Sequence, residues 1–137
     1  MKVIVDTSVW SEVLRRPRGD RTGLHDEMEE LIREGRVVML GPIRQELLSG
    51  LRNDQQFRRL RDGLRSFPDH RLEVGDFEEA AVCFNRCRAK GLQGSNTDFL
   101  ICSVGIRNGF EVFTFGRDFD GFGRVLALKR YVERFRG

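Results

Sequence analysis

A chain of 137 residues is long enough for one compact domain with a real core, and one domain over residues 1–137 is expected. No stretch is apolar for the length of a membrane span and the N-terminus lacks a signal-peptide layout, so a cytoplasmic protein is expected. Lys and Arg (24) outnumber Asp and Glu (21), a mildly basic balance that suits a polyanionic partner without requiring one.

Residues 2–6 read as a buried strand, because Val3, Ile4 and Val5 are consecutive β-branched apolar residues. Residues 9–16 read as a helix capped by Thr7 or Ser8, followed by a polar loop. Leu24, Met28, Leu31 and Ile32 have helical spacing, and Gly35 closes that helix. Residues 37–40 predict a second short buried strand. Gly41-Pro42 then opens a helix to about Leu48, with Gly50 as its stop. Residues 54–66 predict a further helix, with Phe57, Leu60 and Leu64 inward and Arg58, Arg61 and Arg65 on the neighbouring face; Pro68 breaks it. Residues 71–74 predict a short strand. Residues 76–89 predict a long helix with Phe77, Ala80, Ala81, Phe84 and Cys87 inward. Cys83, Cys87 and Cys102 are too few for a disulfide framework or a zinc site, and Cys83 and Cys87 read as small buried hydrophobes. Ser95 or Asn96 caps a helix to about Arg107, which Asn108-Gly109 ends. Residues 111–115 predict a strand, 119–122 a helical turn and 125–128 a last strand. Strands alternating with helices predict an α/β fold, a three-layer α/β/α sandwich around a central, mainly parallel sheet.

Four acids stand at the junctions of these elements. Asp6 follows the first strand directly, where open α/β sheets place their ligands. Glu46 lies near the apolar edge of its helix, Asp98 heads an apolar helix face, and Asp118 follows the strand ending at Phe115. Each has an ordinary reading too. Asp6 is a good N-cap, Glu46 a common exposed helical residue, Asp98 the acid of a capping box with Ser95, and Asp118 a turn residue with Asp120 beside it. Gathered together, they would repel one another unless a hard cation sat among them, and all-oxygen ligation favours Mg²⁺ or Mn²⁺ over zinc. The N-terminus of its helix is expected to keep Asp98 ionised.

The segments carrying these acids resemble the PIN domain (PilT N-terminus) family, and within it the VapC toxins of toxin–antitoxin pairs. They are Val3-Ile4-Val5-Asp6-Thr7-Ser8-Val9-Trp10, Pro42-Ile43-Arg44-Gln45-Glu46-Leu47-Leu48-Ser49-Gly50, Gly94-Ser95-Asn96-Thr97-Asp98-Phe99-Leu100-Ile101 and Val112-Phe113-Thr114-Phe115-Gly116-Arg117-Asp118-Phe119. They occur in family order and span nearly the whole chain. The last departs from the pattern, since Gly116 stands where relatives carry the earlier of two acids. The resemblance implies a metal-dependent endoribonuclease that acts on RNA, tRNA included, works as a homodimer and is silenced by a VapB-type antitoxin. It also implies Asp6, Glu46, Asp98 and Asp118 as catalytic metal ligands, with Thr7, Ser8 and Asn96 holding the carboxylates or the attacking water. Arg15, Arg16, Arg18, Arg58, Arg61 and Arg65 are candidate phosphate contacts, each also readable as solvated surface. Trp10 reads as a core or antitoxin-groove residue before a base-stacking one. His25 and His70 lie far from the acidic junctions in sequence, which disfavours a paired-histidine mechanism. A PIN-like module that binds RNA or an antitoxin without efficient cleavage, a DNA-directed nuclease and a phosphotransferase using Asp6 stay open as alternatives.

Overall fold

A computed structural model describes residues 1–17 and 19–135. The described strands are β1 (Val3–Val5), β2 (Val37–Val38), β3 (Glu111–Phe113) and β4 (Lys129–Arg130). They form one sheet in the order β2-β1-β3-β4, with every pairing parallel. The described helices are α1 (Thr7–Arg15), α2 (Leu24–Arg33), α3 (Gly41–Leu48), α4 (Asp54–Leu64), α5 (Val74–Ala89), α6 (Asn96–Asn108) and α7 (Asp118–Val125). The α/β fold and its parallel sheet are therefore as expected.

β1 explains why both faces of the sheet are covered. Successive strand side chains point to opposite faces, yet Val3, Ile4 and Val5 are all 0 % exposed. β1 lies between β2 and β3, with Val5 opposite Phe113. That register brings Asp6 and Thr114, the next residue of each chain segment, to the same carboxyl edge.

Several boundaries differ from the sequence reading. α1 begins at Thr7 with Asp6 at its N-cap position, so Thr7 and Ser8 belong to its first turn and do not cap it. The expected strand at 37–40 is paired over Val37–Val38, with one further bridge from Met39 to Asp69. No strand forms over 71–74. The Glu73 N–H is committed to Asp76 Oδ2 at 2.8 Å in a capping box, and α5 starts at Val74. The inward face of α5 is set by Asp76, Cys83 and Cys87 where it packs on α6, which leaves Phe77 55 % exposed and Ala81 exposed. The helical turn expected at 119–122 grows into α7, because Phe119 and Phe122 both bury there. Leu126 caps α7 through its N–H to the Phe122 carbonyl, which removes 125–128 from the sheet; β4 forms only at Lys129–Arg130. Cys83, Cys87 and Cys102 are free and buried, as expected, and burial pushes the Cys83 thiol up to about 11.

The C-terminal residues are tied back onto α2. Glu27 is 0 % exposed and accepts from the Tyr131 hydroxyl at 2.7 Å, the Phe135 N–H at 3.0 Å, the Arg134 N–H and the Arg134 Nε at 3.3 Å. Gly23, with φ of 77°, lets this segment close, since a Cβ there would collide with the Phe135 carbonyl. No helix is long and apolar enough to cross a membrane among the described residues.

Candidate active site

Asp6 is held by its neighbours at the sheet edge and does not use its side chain as a cap. Its N–H donates to the Phe113 carbonyl at 2.9 Å, and its carbonyl accepts from Val9 at 3.0 Å and Trp10 at 3.2 Å. The side chain makes no cap bond to α1. Instead Oδ2 accepts from Ser8 Oγ at 2.7 Å and Thr114 Oγ1 at 2.8 Å. Those two hydroxyls are themselves oriented: Ser8 Oγ accepts from the Phe115 N–H at 3.1 Å, and Thr114 Oγ1 from the Gly116 N–H at 2.9 Å. Donors fixed in this way set the rotamer of the carboxylate, and Asp6 is 7 % exposed. Among the described residues no hydrogen bond occupies Oδ1.

The other acids are anchored in the same way, through one oxygen each. Thr7 Oγ1 donates to Glu46 Oε1 at 2.6 Å, joining the first turn of α1 to α3. Asp98 Oδ2 accepts the Ser95 N–H at 3.1 Å while Ser95 Oγ accepts the Asp98 N–H at 3.0 Å. The expected capping box is therefore real, but it spends only one carboxylate oxygen. Burial pushes the Asp98 carboxyl up, the bonds from Ser95 pull it down, and the negative charges of Asp6 and Glu46 push it up again. The net direction is upward. The pull expected from the start of α6 is thus opposed by partial burial and, to a lesser degree, by two neighbouring acids.

Asp6, Glu46 and Asp98 thus share one neighbourhood, each having reached it from a different junction. Among the described residues none of the three forms an ion pair, whereas Arg16, Arg44 and Arg130 are paired with Asp20, Asp69 and Asp120. Hard oxygen donors with uncompensated like charge suit a divalent cation by chemistry. Their present spacing is looser, as no three described His, Cys, Asp or Glu side chains are grouped to hold one ion. Asp118 stands exposed in the first turn of α7 and has no bond to the other three; Asp120, its competitor, is paired with Arg130 at 3.1 Å. Asn96 is exposed at the start of α6 and makes no hydrogen bond to the acids. Removing one of three uncompensated like charges should relieve the fold. Asp98→Asn, whose amide oxygen still accepts from Ser95, is expected to melt above the wild type in chelator-treated buffer, by differential scanning calorimetry. An unchanged or lower melting temperature would mean that the acids do not strain one another.

Other candidates fall elsewhere. Arg15 and Arg16 are bound to Glu12, and Arg61 and Arg65 to Asp62. Arg58 is exposed on α4, and Arg18 lies outside the described residues. Trp10 is 5 % exposed with its ring edge-on to Phe67 at 5.3 Å, a core position and not a base-stacking one. His25 bonds the Arg16 carbonyl and His70 packs on Phe110, so neither reaches the acids. Thr114 escaped the sequence reading. Its only signal was being the first polar residue after a strand that turns out to lie beside β1.

The PIN domain family model matches residues 3–125 of the chain. No curated protein matches it. Similar folds occur in the VapBC2 structure from Rickettsia felis bound to a promoter DNA fragment (TM-score 0.77, 18 % identity, 96 % of this chain and 98 % of that one). FitAcB from Neisseria gonorrhoeae is similar at TM-score 0.74 and 18 % identity over 95 % and 96 %. VapBC-1 from nontypeable Haemophilus influenzae is similar at TM-score 0.70 and 15 % identity over 96 % and 97 %. At such identities the likeness concerns the fold alone.

Proposed function

From the premise that the chain belongs to the PIN domain family, we propose that it is the nuclease toxin of a toxin–antitoxin pair. In this reading it is a Mg²⁺- or Mn²⁺-dependent endoribonuclease, dimeric, cytoplasmic and silenced by a VapB-type antitoxin. A further similar structure, named as a toxin–antitoxin complex from Klebsiella pneumoniae, supports the partner. The observation that carries the chemistry is the meeting of Asp6, Glu46 and Asp98 without a neutralising arginine or lysine. Carboxylates brought together against their own repulsion imply a missing positive charge.

Asp6, Glu46 and Asp98 would hold that cation, with Asp118 assisting through water. A bound divalent ion supplies Lewis acidity, lowering the pKa of water and offsetting charge on a phosphodiester. The protein's own part is orientation. Ser8 and Thr114 pin Asp6 through Oδ2, Thr7 pins Glu46 through Oε1, and Ser95 pins Asp98 through Oδ2. The second oxygen of each carboxylate carries no hydrogen bond among the described residues. Neighbours that fix ligand orientation in this way commonly matter for affinity by about ten- to a hundredfold.

The test is direct. Purified protein is incubated with structured and single-stranded RNA in Mn²⁺ or in EDTA, and Mn²⁺ is titrated calorimetrically in parallel. Cleavage only with Mn²⁺, and saturable heat, are expected. RNA binding with neither cleavage nor heat would replace the nuclease by a binding module, the reading that Gly116 and the loose spacing of the acids favour. Cleavage of DNA in place of RNA would move the substrate class.

A further inference from the structure

α5 leaves a partly apolar face uncovered. Asp76, Cys83 and Cys87 are buried, while Val74 is 75 % exposed, Phe77 55 % and Val82 46 %. Val74, Phe77 and exposed Ala81 follow helical spacing and share one stripe, with Val82 on its flank. Beside it opens a cleft of about 540 Å³ whose walls include Phe77, Ala81, Phe84 and Asn85 of α5 and Pro42 of α3. A protruding ring and a hollow on one surface suit a protein contact, because covering them removes apolar area from water.

The charges on this face run in order. Glu78 lies in the amino half of α5 and Arg88 in its carboxyl half, both exposed, and among the described residues neither side chain has a hydrogen bond or ion pair. Acid first and base last suits the helix dipole. It also makes the face self-complementary. A second α5 turned end for end presents base to acid and acid to base, and a two-fold axis does this at both ends at once. A phosphate chain finds no such match, since Glu78 and the apolar stripe fill the half away from Arg88. We propose that α5 is the contact through which two copies of this chain pair, antiparallel, about a two-fold axis near Ala81 and Asn85. Glu78 then lies beside Arg88 of the partner subunit, and Phe77 covers exposed Ala89 of the partner subunit. The proposal rests on the dimeric part of the reading above and is independent of its nuclease part.

Sedimentation equilibrium from about 1 to about 100 µM spans a range in which such contacts form, and it reads mass against the 15.9 kDa of one chain. Wild type is expected to rise toward twice that mass. Phe77→Ser changes a residue that is 55 % exposed, so the fold is kept, and it should weaken pairing by on the order of a hundredfold. Glu78→Arg sets two pairs of arginines face to face, and Arg88→Glu two pairs of glutamates; each should weaken pairing about tenfold. Mixed in equal amounts, these two charge variants match acid to base again at both ends, and their mixed dimer should regain wild-type affinity. Circular dichroism of all three variants should remain that of wild type.

A wild type that stays at 15.9 kDa throughout would overturn the proposal and leave the face to a different protein. Dimers that ignore Phe77→Ser would overturn it by moving the contact elsewhere. A mixture of the charge variants that pairs no better than its parts would overturn it by removing the antiparallel order. Loss of RNA affinity in Phe77→Ser with unchanged mass would give the face to nucleic acid and overturn it as well. The nuclease reading is judged separately. A wild-type dimer that does not cleave RNA in Mn²⁺ defeats that reading and leaves the pairing standing, and a monomer that cleaves defeats the pairing alone.

Discussion

Asp6→Asn is expected to abolish metal-dependent RNA cleavage, lowering the rate by on the order of a hundredfold or more, while circular dichroism and the melting transition remain those of a folded protein. The geometry separates the two effects. The amide oxygen of Asn can still accept from Ser8 and Thr114, the two hydroxyls that hold Oδ2 at 2.7 and 2.8 Å. The sheet-edge packing is therefore kept, and what disappears is the negative charge together with one oxygen able to bind a cation. Asp6 is the most informative of the acids to change because it is the most buried, 7 % exposed against the exposed Glu46. Its carboxylate has no reorienting freedom with which to compensate. A fluorogenic RNA assay in Mn²⁺ measures the rate, and cleavage at the wild-type rate would remove Asp6 from the proposed site. Thr114 joins this prediction as the orienting hydroxyl that only the fold reveals.

Glu27→Leu is expected to destabilise the chain by about 3 kcal/mol or more. It strands the Tyr131 hydroxyl and the Arg134 and Phe135 N–H groups at a partly buried site, at about 1 kcal/mol for each donor left unpaired. For a chain of this size that corresponds to a fall in melting temperature of roughly 10 °C. Burial by itself pushes Glu27 up, yet the bonds from Tyr131, Phe135 and Arg134 together outweigh it and hold the carboxyl below its ordinary 4.5. A depressed carboxyl pKa means that the folded state binds its proton less readily than the unfolded chain. Its contribution is fully present above about pH 4.5 and is lost as pH falls through the lower folded value. Melting curves of wild type and variant should therefore differ most near neutrality and converge in acid; a gap that widens in acid would refute the assignment. Glu133, in the segment that Glu27 holds, lines a cleft of about 430 Å³ together with Phe115, and releasing that segment is expected to open the cleft.

The two regions differ in how far they could be read in advance. Asp98 shows how a local signal can be right and still incomplete. Ser95-x-x-Asp98 does form a capping box, as its spacing implied, because that motif needs only four consecutive residues. The upward push on its carboxyl comes first from burial and then from Asp6 and Glu46, which lie many residues away in sequence, so neither cause is written in those four residues. Asp6 shows the reverse. Its position after an apolar run made capping a reasonable role, but Thr114 and Ser8 claim its side chain, and the first of these is 108 residues distant. The expected inward face of α5 was right in part: Ala80, Phe84 and Cys87 pack on the core, whereas Phe77 and Ala81 do not. Its apolar residues cover more than one face, so the periodicity did not say which face meets α6, and Phe77 went outward. Glu27 was invisible as a clamp, since a helical Glu carries no local sign that a terminal segment will fold over it.

Burial of β1, the start of α3 at Gly41-Pro42, the run of α2 and the capping of α6 follow from neighbouring residues alone. Local sterics, turn chemistry and hydrophobic period act over a few residues and are written in consecutive letters. The parallel register of β1 with β3, the hydroxyl grip on Asp6, the pairing that takes Asp120 away from the acids and the exposed stance of Phe115 belong to tertiary structure. Each depends on which distant segments are brought alongside, and that is decided by the packing free energy of the whole chain, which no short window of sequence contains.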